Sequence, residues 1–259
     1  MKTNQRRLPR CSWRGWQSLP STDLALSDEP PMPTTPHDPG RETDVLSSWH
    51  QNADAWTNTV RSGHIESRRL ATDQAIIRAV LDGRPHSVLD LGCGEGWLVR
   101  ALIAEGVRTL GLDAVPSLIA SARAAGGEFH VASYDDVIAG RLMLKVDTVV
   151  CNFALLGKES VEHLVAALPQ RLEAGGRLLV QTVHPLMACG EQAYVDGWRR
   201  EEWTGFGSAF PSPAPWYFRT MASWVALFSN AGWQLCEVRE PLHPVTGKPA
   251  SVIFVARRP

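Results

Sequence analysis

No apolar run in this chain approaches the roughly 20 residues that a membrane-spanning helix needs, and the basic N-terminus is followed by no apolar signal core. Paired cysteines are missing too. Cys11, Cys93, Cys151, Cys189 and Cys236 are odd in number, widely scattered and free of Cys-x-x-Cys spacing, which argues against both a zinc site and a disulfide framework. Nor is charge of either sign in excess: 26 basic and 27 acidic residues leave a formal net charge of −1, so no general basic surface points to a nucleic-acid partner. His50, His64, His130 and His163 stand in no metal-ligand spacing. These absences lead us to expect a reduced, cytoplasmic protein with no membrane segment and no metal. They leave its oligomeric state open.

The chain changes character near residue 44. Residues 1–43 carry Pro9, Pro20, Pro30, Pro31, Pro33, Pro36 and Pro39 without sustained periodicity, which predicts a flexible extension. Within it, Trp13 and Trp16 mark either a docking segment or sequence preceding a translation start at Met32. From Asp44 onward, Val45, Trp49, Ala53 and Trp56 recur at helical spacing, and a second helix is predicted over 66–81, so that 44–82 form a helical cover. Strands are then predicted near 86–91, 108–112, 128–132, 146–151, 177–183, 233–239 and 251–257. Their alternation with helical patterns is the signature of a sheet covered on both faces.

The first of these strands runs into Val88-Leu89-Asp90-Leu91-Gly92-Cys93-Gly94-Glu95-Gly96-Trp97, where three glycines let the backbone turn tightly and approach a ligand. A dinucleotide fingerprint requires Gly-x-Gly-x-x-Gly. Here the third glycine comes one residue early, Trp97 fills its place, and Asp90 lies two residues before the first glycine. A carboxylate there repels a pyrophosphate and attracts an ammonium group. Asp113 follows the second apolar strand about twenty residues on, where such folds hold ribose hydroxyls; an aspartate before a helix is also an ordinary cap.

The run Val-Leu-Asp-Leu-Gly-Cys-Gly-Glu-Gly resembles motif I of class I S-adenosylmethionine-dependent methyltransferases. The fourth strand with its exit, Val146–Leu156, and a helix closed by Gly175-Gly176 before an apolar fifth strand add to the likeness. The resemblance implies an α/β, Rossmann-like, seven-stranded doubly wound mixed sheet whose last strand is antiparallel. Helices lie on both of its faces, under an N-terminal helical cover. It implies S-adenosylmethionine as cofactor, with Asp90, Gly92, Cys93, Gly94 and Gly96 at its methionine end and Asp113 and Ala114 at its ribose. Ser133, Tyr134 and Asp135 then face the adenine, although Asp135 and Asp136 serve equally well as caps for the next helix. Asn152 and Phe153 stand beside the reactive methyl. Arg68 is the preferred partner for the cofactor carboxylate, with a solvated helix start as the alternative.

The connection over 184–218 is too long for a plain loop and is read as an aromatic lid. Trp198, Trp203, Trp216 and Tyr217 are candidates for a substrate wall, with Phe206 and Phe210 among them; each ring could equally pack the lid onto the sheet. Arg219 is a candidate partner for a substrate carboxylate, or a surface arginine. His184 closes the fifth strand at the edge where open α/β sheets place their ligands, and imidazole suits a general base. Alternatively, it orients the lid through Pro185. These readings describe a methyltransferase with a small, apolar or aromatic acceptor. A nicotinamide oxidoreductase, an RNA-type nucleic-acid methyltransferase and a non-catalytic cofactor-binding protein stand as rivals.

Overall fold

The computed structural model describes residues 39–142, 144–201, 203 and 210–258. The expectations placed on residues 1–38, Trp13, Trp16 and Met32 among them, lie outside the described residues, as does Phe206.

Helix α1 (Pro39–Arg61) starts five residues before the expected boundary at Asp44. Proline fits the first helical turn, where its missing N–H is no loss. Glu42 then supplies an acid near the positive helix end and also leaves the helix to bind elsewhere: its carboxylate accepts from Lys158 N–H at 2.6 Å and from Ser160 Oγ at 2.7 Å. The second helical stretch is present but irregular, with a π turn over Arg68–Thr72 leading into α2 (Asp73–Leu81).

The sheet is built next. The chain passes through β1 (Ser87–Leu91), α3 (Trp97–Ala104), β2 (Arg108–Asp113), α4 (Pro116–Ala124), β3 (Glu128–Val131) and α5 (Tyr134–Ile138). It returns through β4 (Val146–Asn152), α6 (Glu159–Ala167), a 3₁₀ turn (Leu168–Arg171) and β5 (Leu172–Val183). After α7 (Pro185–Ala188), β6 (Gly197–Glu201) and β7 (Ala214–Phe218) come α8 (Met221–Asn230), β8 (Gln234–Arg239) and β9 (Ser251–Arg257). Seven strands form one sheet in the order β3-β2-β1-β4-β5-β9-β8. The first five run parallel, and β9 is antiparallel to both of its neighbours.

Two apolar layers hold the sheet. Val88, Val150, Leu179, Ile253 and Val255 pack against Ile76, Leu98 and Leu102 on one side, while Leu89, Val149, Leu178, Val180 and Phe254 meet Val161, Leu164, Trp224 and Phe228 on the other. Adjacent residues of one strand thus point to opposite layers, which is why these strands read as continuous apolar runs.

Two expectations need correction. Strand β5 begins at Leu172, not near 177, and Gly175-Gly176 closes no helix. Leu172 pairs with Val146 and Arg177 with Thr148, so the strand carries an irregular turn between them. Gly175 takes φ +73°, and a Cβ on Gly176 would stand 2.9 Å from the Glu173 carbonyl. The expected lid is also more regular than a loop: β6 and β7 form a separate antiparallel ribbon, with Trp198 opposite Tyr217.

Candidate active site

The chain winds outward from β1 to β2 and β3, then crosses back to β4 beside β1, which makes the carboxyl edge between β1 and β4 the switch point where open sheets bind ligands. Register gathers the polar residues there. Asp90 lies opposite Gly111 and Val150, Asp113 opposite Val131, and Asn152 opposite Gln181.

The turn after β1 requires its glycines sterically. Gly92 sits at φ +73°, and a Cβ there would come within 2.4 Å of Ala154 Cβ. Gly96 caps α3 in the left-handed region, where a Cβ would enter the Phe129 ring at 2.4 Å. The backbone is braced by Asp113, whose two carboxylate oxygens accept from Gly94 N–H and Val115 N–H, each at 2.9 Å. The bond from Val115 N–H is the helix-cap role, and each oxygen keeps a second lone pair that can accept from a hydroxyl. Burial raises the Asp113 carboxyl above its ordinary range, while the bonds from Val115 and Gly94 and the His50 imidazole of α1 pull it down.

Asp90 is 1% exposed, and its Oδ1 has no hydrogen-bond partner. Burial, with Asp113 adding like charge, pushes its carboxyl up to about 8. A buried acid in that state is completed by a cation. Cys93 is buried behind the turn, and its thiol is raised by burial and by the same two acids, which makes it inert packing. An unsatisfied acid, a glycine cradle and a second acid with lone pairs to spare fit a ligand that carries an amine and ribose hydroxyls.

Of the residues expected at the adenine, Ser133 forms a reciprocal capping box for α5 with Asp136, one of the two acids read alternatively as caps. That leaves Asp135 exposed, and Ala114 half-buried beside Asp113. Tyr134 donates to the Ala154 carbonyl at 3.1 Å, spanning from α5 to the exit of β4 above Gly92. Arg68 pairs with Asp73 through Nε at 3.0 Å and stacks over Trp97 at 4.7 Å. A different arginine reaches the glycine turn: Arg61 donates to Glu95 at 3.1 Å and to the Ser121 carbonyl at 2.8 Å. Glu95 is buried, also takes Arg100 at 2.6 Å, and retains one oxygen without a partner.

The expected aromatic wall divides in two. Trp203 stacks on Phe210 at 4.6 Å and meets Trp49 and Trp56 of α1 at 5.6 and 6.3 Å. Trp56 Nε1 lies 3.5 Å from where a Cβ on Gly94 would be, so this cluster roofs the glycine turn. Trp198, Trp216 and Tyr217 lie elsewhere, packed within the β6–β7 ribbon: Trp198 against Tyr217, Trp216 against Phe218. Arg219 is also committed. It donates to the Gly157 and Lys158 carbonyls at 2.8 and 2.9 Å and lies over Tyr217 and Trp224, buried enough to lower its pKa. With these bonds the side chain staples β7 to the exit of β4.

His184 is held at both ring nitrogens. Nδ1 accepts from Leu186 N–H at 3.2 Å as the cap of α7, and Nε2 faces Glu240 at 2.7 Å. The tautomer that serves both bonds carries its proton on Nε2 and has no lone pair left for an acceptor. The geometry is that of a lid anchor; a general base needs a free nitrogen. Phe210 stands in the expected wall, whereas the sequence reads Trp49 and Trp56 only as part of the helical cover. Trp49 and Trp56, seven apart, recur on one face of α1, but which face covers the turn is a tertiary fact.

Among the described residues, no helix is long and apolar enough to cross a membrane, and no group of three or more His, Cys, Asp or Glu could hold a metal. A family model described as a methyltransferase domain matches residues 63–238. The chain is 33% identical over 114 residues to the ubiquinone biosynthesis O-methyltransferase of Xylella fastidiosa (strain M23), covering 42% of this chain and 46% of that protein. It is 31% identical over 119 residues to the mitochondrial ubiquinone biosynthesis O-methyltransferase of Mus musculus, covering 39% and 30%. The chain thus spans about half or less of the length of these curated relatives.

Two solved structures share its fold. The S-adenosylmethionine-dependent methyltransferase of Mesorhizobium loti aligns with TM-score 0.54 at 23% identity, over 71% of this chain and 96% of that one. The 1,6-didemethyltoxoflavin-N1-methyltransferase of Burkholderia thailandensis aligns with TM-score 0.56 at 20% identity, over 83% and 86%. With the family match covering most of the chain, and the acid, glycine cradle and second acid at the switch point of this sheet, the chain belongs to the class I S-adenosylmethionine-dependent methyltransferases.

Proposed function

We propose that this enzyme methylates an oxygen of a small aromatic acceptor. The observation that carries the reading is the aromatic roof over the glycine turn, in which Trp49 and Trp56 of α1 close with Trp203 and Phe210 above Gly94. Flat apolar walls suit a flat apolar acceptor and keep water from the transfer. The oxygen assignment rests on the curated relatives, which are named as O-methyltransferases.

Asp90 and the turn through Gly92, Cys93, Gly94 and Gly96 would hold the methionine end, with Asp113 and Ala114 at the ribose and Ser133, Tyr134 and Asp135 at the adenine side. When bound, the cofactor supplies a sulfonium-activated methyl group. The protein's part is to orient and to exclude water. Holding two reactants in line accounts for roughly 7–11 kcal/mol of barrier in well-oriented systems. Arg61 and Arg68 supply positive charge beside Glu95 and Trp97, where a cofactor carboxylate is expected.

The test is transfer of label from methyl-labelled S-adenosylmethionine to a panel of catechol, 3,4-dihydroxybenzoate, 2-naphthol, aniline, indole and total RNA. Label on the hydroxylated aromatics is the expected result. Label confined to the amine, the indole or the RNA overturns the acceptor class, and binding of the cofactor with no label transferred to any acceptor overturns the reading of a small aromatic substrate.

A further inference from the structure

A buried polar chain behind the carboxyl edge of the sheet bears on which atom the enzyme methylates. Gln181 lies near the carboxyl end of β5, just after the apolar run Leu178–Val180, and is 1% exposed. A primary amide there is tolerated only when its hydrogen-bonding groups are satisfied. Its Nε2 donates to the Thr72 carbonyl at 3.2 Å and to Asn152 Oδ1 at 2.7 Å, and its Oε1 accepts from Ser251 Oγ at 3.2 Å. Four segments, the π turn, β4, β5 and β9, therefore converge on one side chain.

The direction of this chain is fixed by chemistry. A backbone carbonyl only accepts, so the Gln181 atom facing Thr72 must be the nitrogen. The same nitrogen reaches Asn152, so the Asn152 atom there must be the oxygen. Neither amide can be turned over without placing two acceptors or two donors face to face.

Asn152 is consequently a one-sided group. Its oxygen is committed to Gln181, and its Nδ2 donates to nothing among the described residues, although Asn152 is the last residue of β4 and half-buried at the carboxyl edge of the sheet, beside the switch point. Phe153 follows at φ +53° and donates its N–H to the Gln181 carbonyl at 2.8 Å, which holds the β4 exit in place. An amide that offers only N–H groups complements a lone pair. A hydroxyl oxygen can accept with one lone pair and attack with the other, whereas an amine nitrogen has a single lone pair, which the donor would occupy, and turns only N–H groups toward the amide once that pair attacks.

We infer that Asn152, oriented by Gln181, is a specificity-determining donor that binds an oxygen of the acceptor and selects against amino acceptors. This rests on the oxygen-methyltransferase reading above. Gln181 is a positioning residue, acting through Asn152.

The experiment uses the full chain and pairs of acceptors that differ only in the reacting atom, 2-naphthol with 2-naphthylamine and catechol with 2-aminophenol. Wild type, Asn152→Asp, Asn152→Leu and Gln181→Met are compared for the ratio of O- to N-methylation. Calorimetric affinity for S-adenosylhomocysteine and binding of 2-naphthol to the S-adenosylhomocysteine complex are measured alongside. The expected result is a fall of at least tenfold in the oxygen-to-nitrogen ratio for Asn152→Asp and Gln181→Met, and an equal weakening of 2-naphthol binding. S-adenosylhomocysteine affinity should change less than threefold. A purely structural role for Gln181 would lower thermal stability and leave the ratio unmoved, which overturns the inference. If wild type and variants methylate oxygen with the same ratio, the role of Asn152 falls and the oxygen reading stands. If wild type methylates only the amines, both fall. If nothing is methylated, tenfold weaker 2-naphthol binding in Asn152→Asp supports the donor role, and equal or absent binding in both proteins overturns it.

Discussion

At the scale of single residues, the site is dominated by two acids, one buried and one half-buried. Asp90 is buried and raised to about 8 from an ordinary 3.8, so in that interval the folded chain carries a proton that the unfolded chain has released. Stability of the ligand-free protein should therefore decline as pH rises from about 4 to about 8 and level off above. Urea melts across that range should show the slope for wild type and a shallower one for Asp90→Asn. A matching slope in the two proteins would remove Asp90 as its source. A cationic amine brought to Asp90 favours the ionised acid, so binding of S-adenosylhomocysteine near pH 7 should release protons. Calorimetry in buffers of different ionisation enthalpy reads that number directly. For Asp113→Asn we expect at least tenfold weaker S-adenosylhomocysteine binding, because the ribose loses a charged acceptor and the Gly94 turn loses part of its brace. Unchanged affinity would leave Asp113 a helix brace only.

At the scale of elements, the interesting contacts join segments far apart in sequence. Glu42 in the first turn of α1 supplies the capping acceptor that Lys158, the residue before α6, does not provide for itself. Its replacement by Gln should cost about 1 kcal/mol and lower Tm by roughly 2–4 °C, a shift that differential scanning calorimetry resolves. His184 ends β5, caps α7 and meets Glu240, so His184→Gln should lower stability by a similar amount while keeping much of the turnover of the methylation assay. Loss of turnover without loss of stability would return His184 to the chemistry. The strands of the seven-stranded sheet and most helices were legible in the sequence, because apolar runs such as Val149–Cys151 and Val252–Ala256 are buried on both faces and have no polar alternation to confuse them. The start of β5 was not legible. A Gly-Gly pair reads as a helix stop, and only pairing of Leu172 with Val146 draws the chain into the sheet before it.

At the scale of the whole molecule, α1 and the segment after β6 meet over the glycine turn through Trp49, Trp56, Trp203 and Phe210. The cofactor should therefore stabilise distant parts unequally. Saturating S-adenosylhomocysteine, at a hundred times its dissociation constant, should raise unfolding free energy by about 2.7 kcal/mol. Hydrogen exchange should slow in α1 and around residues 197–203 and stay unchanged in β8 and β9. Uniform protection would show that the roof is not coupled to the cofactor site. The sequence by itself determined the sheet, its strand count and the cofactor class, because those depend on local patterns: buried apolar runs, a glycine turn, an acid two residues before it and another at the end of the next strand. Only the tertiary structure decided which side chains are still available to a ligand. Arg219, Tyr217 and His184 look free when read along the chain, yet in the fold their hydrogen bonds and ring faces are taken by partners far away in sequence. Trp56 looks like an ordinary helix-face residue until the packing of α1 sets it over the Gly94 turn, and only the buried Gln181 decides which end of the Asn152 amide is taken.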